Sequence, residues 1–218
     1  MSQRLTFEFA RPVDEVLAEA RRASVPVESG LAEPDLVELR ALIPELRYGL
    51  QYSSIEYFTG GEAPVLRHAP AQRVVAEALA AAAAALRELG YGVVIHDAYR
   101  PWWMTYVFWH VVPEELHHFV ANPERGSMHN RGLALDVSLL DLASGALCVM
   151  PSGVDELSPR AFSDYAGGPE GPRRRRDCLR SAMVGAGFES LDSEWWHYTL
   201  RVDPLYPLMN VPVEDVGK

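Results

Sequence analysis

The chain has 218 residues, of which 48% are apolar and 23% charged, an ordinary composition for one globular domain with a packed core. Its 30 Asp and Glu outweigh 20 Lys and Arg, giving a formal net charge of −10 and a pI near 5.2. That balance excludes a nucleic-acid partner, which would need a basic face to neutralise phosphates.

Residues 12–23 begin with a proline and an acidic first turn and carry apolar side chains at helical spacing, so a short helix is expected. Residues 26–36, with proline, glycine and acids in no period, read as a surface connection. Leu46 to Ser53 reads as a strand, followed by a turn at Gly60-Gly61. From Gln72 to Leu89 alanine and leucine dominate up to Gly90, which predicts a long helix with a glycine stop.

Tyr91 to His96 is β-branched and predicts a strand that ends at Asp97-Ala-Tyr-Arg-Pro101. Arg100, before a proline, is expected at or just past that strand's end, where functional groups tend to be presented. Trp102 to Val112 and Glu114 to Ala121 read as helical pieces divided by Pro113. His110, His117 and His118 lie there without a carboxylate at ligand spacing and are set aside as metal ligands.

Leu133 to Leu139 and Leu147 to Met150 predict a hairpin, with Asp141 to Gly145 as its turn. Residues 167–172 read as a loop, Arg174 to Gly187 as a helix and Glu194 to Arg201 as a last strand. Residues 203–218, with Pro204, Pro207 and Pro212, read as an irregular tail. The first ten residues lack a basic region followed by an apolar stretch, and the longest apolar run, Ala78 to Leu86, is too short to cross a bilayer. A cytoplasmic protein with two free thiols, Cys148 and Cys178, and no membrane partner is expected; nothing sets an oligomeric state.

The chemistry concentrates in Ser127-Met-His-Asn-Arg-Gly-Leu-Ala-Leu-Asp136 and Glu194-Trp-Trp-His197. Were residues 129–136 fully extended, His129 and Asp136 would stand about 23 Å apart at roughly 3.3 Å per residue. Ligands of one zinc each lie only about 2 Å from it, so a metal reading requires a turn, for which Asn130-Arg131-Gly132 has the residue types. Asp136 sits among apolar neighbours and needs a positive partner; a metal, an arginine or an outward-facing edge position would each answer. Glu194 and His197, three apart, share a face of a helix but fall on opposite faces of a regular strand, so on a strand a bulge or a twist at its start must bring them together.

Two histidines and an aspartate would leave a fourth position for water, as in catalytic zinc sites, with Glu194 as proton acceptor. Arg100 would steady a developing oxyanion, hold a substrate carboxylate, or form a structural ion pair.

SMHNRGLALD, EWWH and DAYRP together resemble the D-alanyl-D-alanine dipeptidases of the vancomycin-resistance type, in a zinc peptidase family that also contains D,D-carboxypeptidases. The likeness covers roughly Leu46 to Tyr198. It implies one zinc per chain held by His129, Asp136 and His197, with Glu194 as catalytic base and Arg100 assisting the transition state. It further implies that Ser127, Tyr52 and Asp155 hold the termini of a small dipeptide, Asp155 meeting its ammonium. Met128, His96 and Tyr57 depart from the family's usual residues, and residues 1–30 read as an N-terminal extension.

The expectation is a single α+β domain, helices packed on a mainly antiparallel sheet, with the zinc in a cleft. The rival functions are a D,D-carboxypeptidase acting on longer peptidoglycan peptides and a zinc-bearing binding module without catalysis.

Overall fold

In the computed structural model, which describes residues 8–50, 67–156 and 158–216, helices form where apolar residues recur at helical spacing. Helix α1 (Val13–Ala20) buries Val16 and Ala20, four apart. A short strand β1 (Leu36–Glu38) runs into the single-turn helix α2 (Leu39–Leu42), and strand β2 is only Arg47–Tyr48. The expected extension of β2 to Ser53, and the turn at Gly60-Gly61, lie outside the described residues.

Strand β3 (Pro70–Gln72) leads into helix α3 (Arg73–Glu88), where Val75, Leu79, Ala82 and Leu86 form one buried stripe. Each fully buried leucine contributes about 1.5–3 kcal/mol, and Leu79→Ala would cost about 2–5 kcal/mol once the cavity is included.

Strand β4 (Tyr91–Asp97) is followed by helix α4 (Trp102–Val111), whose Val107 and Val111 join Val16 and Ala20 in a satellite core. Strand β5 (Ala134–Asp141) is buried almost throughout, as a strand covered on both faces must be. Helix α5 (Glu170–Gly185) packs on α3 and on the sheet. It begins four residues before the expected start, because Pro172 falls in its first turn, where a missing N–H costs nothing. Strands β6 (Phe188–Leu191) and β7 (Glu194–Leu200) form a hairpin turning at Asp192-Ser193.

The main sheet has five strands in the order β2-β4-β5-β7-β6, parallel only between β2 and β4, while β1 and β3 make a separate antiparallel pair. The expected α+β domain with a mainly antiparallel sheet is what forms. The predicted strand Leu147 to Met150 does not: it shrinks to a single bridge between Leu140 and Leu147. Leu147 and Val149 remain 63% and 69% exposed, and the alternate residues Cys148 and Met150 pack only partly against the core, so little burial rewards a second strand there.

Two irregularities shape the site. The β4–β5 register shifts between Ile95 and Asp97, which sets Asp97 opposite Asp136. On β7, residues Trp195 to His197 stand opposite a single step of β6, from Ser190 to Leu191. Asp136 pairs onward with His197, so Asp97, Asp136 and His197 form one row across three strands. No described helix is long and apolar enough to cross a membrane.

Candidate metal centre

The segment before β5 folds into a single 3-10 turn, Met128–Arg131, instead of extending. Ser127 caps it: its Oγ accepts from His129 N at 3.2 Å, and its own N–H donates to Asn130 Oδ1 at 2.8 Å. Asn130 Nδ2 in turn donates to Arg100 O (2.8 Å) and Thr105 Oγ1 (3.0 Å), tying the turn to the end of β4 and to α4. Gly132 closes the turn at φ +67°, a left-handed conformation costly for other residues. The turn required between His129 and Asp136 is therefore present, and it brings His129 back over β5.

Three ligand atoms converge: His197 Nδ1 is 3.0 Å from Asp136 Oδ1, His129 Nε2 is 3.3 Å from His197 Nδ1, and His129 Nε2 is 3.5 Å from Asp136 Oδ1. Donors on a tetrahedron around zinc, each about 2.0–2.1 Å from it, are separated by about 3.3 Å. The three side chains thus already form a face of the right size for one metal ion.

Their second nitrogens are also committed. His129 Nδ1 donates to the carbonyl of Ala98 at 2.8 Å, which leaves the Nε2 lone pair for a ligand. For His197 to present Nδ1, its Nε2 must carry the proton, and Thr199 Oγ1 accepts it from 3.2 Å. Burial alone would raise the Asp136 carboxyl, but His129 and His197 hold it well below the usual carboxylate range. A buried anion with two histidines suits a borderline divalent cation.

Glu194 lies beside this face, Oε2 3.9 Å from His197 Nδ1. The β7 irregularity is what lets residues three apart share a side. Its side chain is 31% exposed, and burial together with the Asp136 charge pushes its carboxyl up. Arg100 sits just past the end of β4, as expected, and its Nη1 is 3.2 Å from Asp97 Oδ2. The same Asp97 oxygen is 3.5 Å from His129 Nδ1, and Ala98 N donates to its Oδ1 at 2.9 Å. Burial pushes the Asp97 carboxyl up against the pull of His129 and Arg100.

A cavity of about 230 Å³ bordered by His96, Asp97, Arg100, Trp103 and Glu214 lies on the Asp97 and Arg100 side, without lining contributions from His129, Asp136, His197 or Glu194. Asp155 occupies a bend at φ +60°, on a loop tied to β7 by Trp195 Nε1 donating to Ser152 Oγ at 2.7 Å. Tyr52 lies outside the described residues. His110 and His117 bond to backbone carbonyls of Tyr106 and Val112, away from any ligand cluster. Asp97 and Thr199 are site residues that sequence reasoning did not single out. Asp97 stood in the DAYRP motif as a usable signal; Thr199 had none beyond its place two residues after His197.

Residues 32–214 match the peptidase M15 family, described as D-Ala-D-Ala dipeptidase. The chain belongs to this family. Among relatives, it is 32% identical over 179 residues to a D-alanyl-D-alanine dipeptidase of Escherichia coli (strain K12), covering 80% of this chain and 89% of that one. It is 31% identical over 191 residues to a D-alanyl-D-alanine dipeptidase of Streptomyces coelicolor, covering 78% and 93%. A solved structure of the LdcB LD-carboxypeptidase aligns with 79% of this chain and 71% of its own at 20% identity and a TM-score of 0.45. Within the M15 family the His129, Asp136 and His197 group is this chain's candidate metal centre.

Proposed function

We propose that this M15 peptidase is a cytoplasmic zinc dipeptidase that hydrolyses D-alanyl-D-alanine or a related D,D-dipeptide. The observation that carries the reading is the triad itself, three ligand atoms 3.0–3.5 Å apart with the Glu194 carboxylate on their flank. Family membership and the activity named for the relatives supply the substrate class.

His129, Asp136 and His197 would hold one zinc ion. When bound, zinc supplies Lewis-acid polarisation of a carbonyl and makes a water acidic enough to lose a proton near neutral pH. Glu194 accepts that proton and returns it to the leaving amine, a role suited to a carboxylate whose pKa is raised towards the working range. Arg100 presents a permanent positive charge towards the developing oxyanion, and Asp97 holds its guanidinium in place at 3.2 Å. Asp155 binds the substrate ammonium, with Ser127 and Tyr52 assisting at the dipeptide termini. The Ser127 hydroxyl accepts from the turn and keeps its own hydrogen to donate.

The test is a panel of D-Ala-D-Ala, L-Ala-L-Ala and a tripeptide ending in D-Ala-D-Ala, assayed for amine release by the purified protein. The reading expects turnover of the free D,D-dipeptide with little on the other two. Preferential cleavage of the tripeptide would replace it with a carboxypeptidase, and no turnover in zinc-loaded protein would leave a binding module.

A further inference from the structure

The turn that aims His129 is anchored in part by a residue outside the family match, which begins at residue 32. Arg131, the last residue of that turn, has only 8% of its side chain exposed. A guanidinium buried to that degree needs a compensating anion and filled donors. Glu28 provides both as a fork: Arg131 Nη2 donates to Oε1 at 2.6 Å and Nη1 to Oε2 at 3.0 Å. Nη1 also donates to Tyr206 O at 2.6 Å, and Leu208 N donates to Glu28 Oε2 at 3.2 Å. Glu28 thus joins the turn to the segment after β7.

We propose that Glu28 is a positioning residue of the metal centre: its carboxylate fixes Arg131, and through Arg131 the turn that places His129 Nε2 against Asp136 and His197. The inference rests on the metal-centre reading above. Arg131 is two residues from His129 and adjoins the left-handed Gly132, the pivot of the turn. The other hydrogen bonds that reach the turn, from Gln72, Ala98, Arg100, Thr105, Tyr206 and Met209, all come from within the matched region. Glu28 keeps 28% of its side chain exposed, so it is reachable by substitution without emptying the core. Metal–ligand distances fall within about 0.2 Å of their preferred values, so a turn that holds His129 less firmly registers as weakened metal binding.

A purely structural ion pair would change thermal stability and leave metal binding by the folded protein untouched. The experiment therefore compares wild type, Glu28→Gln, Arg131→Lys and the control Glu33→Gln, on the same segment and exposed. Each full-length, metal-free protein is titrated with Zn²⁺ in competition with a chromophoric chelator. The Co²⁺-loaded absorption spectrum is recorded in parallel.

The proposal expects a zinc dissociation constant about tenfold higher in Glu28→Gln, altered Co²⁺ bands, and no change in Glu33→Gln. Arg131→Lys keeps the charge but loses the fork, and it should weaken zinc similarly; it decides the matter should Glu28→Gln fail to fold. Wild-type constants and Co²⁺ spectra in both variants would overturn the proposal alone. A wild-type protein that takes up no zinc would overturn the metal-centre reading and the proposal with it.

Discussion

Asp97 and Asp136 face each other across β4 and β5, and the His129 ring lies between them, each of its nitrogens 3.5 Å from an oxygen of one carboxylate. Two buried carboxylates in register would repel, and the imidazole and Arg100 separate their roles. Asp136 faces the metal position, while Asp97 faces Arg100 and the protonated nitrogen of His129.

Removing the Asp97 charge should therefore disturb catalysis without removing a ligand. Asp97→Asn is expected to lower kcat/KM by about 10- to 100-fold while the protein still binds one metal ion per chain. Steady-state kinetics with a metal analysis checks this, and activity within twofold of wild type would deny Asp97 its part.

Gly132 offers a stability test of the turn. A Cβ there would meet Leu36 Cδ2 at 2.8 Å and Gln72 N at 3.2 Å, in a backbone already at φ +67°. Gly132→Ala should cost about 1–3 kcal/mol in a denaturant titration and weaken metal uptake in step. Equal stability would mean that the turn relaxes freely.

Glu28 predicts a pH dependence. Its hydrogen bonds from Arg131, before any other influence, hold its carboxyl below the ordinary 4.5. A depressed folded pKa contributes stability that is complete above the unfolded value and is lost as pH falls through the folded one. The stability gap between wild type and Glu28→Gln should thus be full at pH 7 and shrink below about pH 4.5. A gap that widens on acidification would contradict the assignment.

What could be read from the chain follows from how local each signal was. The spacing of His129 and Asp136 demands a turn if both are to meet one metal ion, and residues able to make one, Asn130 to Gly132, lie between them. Arg100 was placed by a proline, also a local constraint. By contrast, β3 begins with a proline and β6 carries no β-branched residue; their pairing is imposed by neighbours. Gln72, for example, is held by Arg131 O and Asp35 N, from distant stretches. The second strand expected after β5 had an apolar composition, but only Cys148 and Met150 of it reach the core, and those only in part. Asp97 meets Arg100 and His129 only once β4 and the turn are assembled, and Thr199 acts through His197, two residues earlier on β7, with nothing in its local sequence to declare it.

The most direct test of the account is hydrolysis of D-Ala-D-Ala by Glu194→Ala with its metal content measured on the same sample. The account predicts one zinc per chain, as in wild type, with turnover reduced at least about 10²-fold, the low end of general-base catalysis. A zinc-loaded Glu194→Ala enzyme that turns over at the wild-type rate would contradict it.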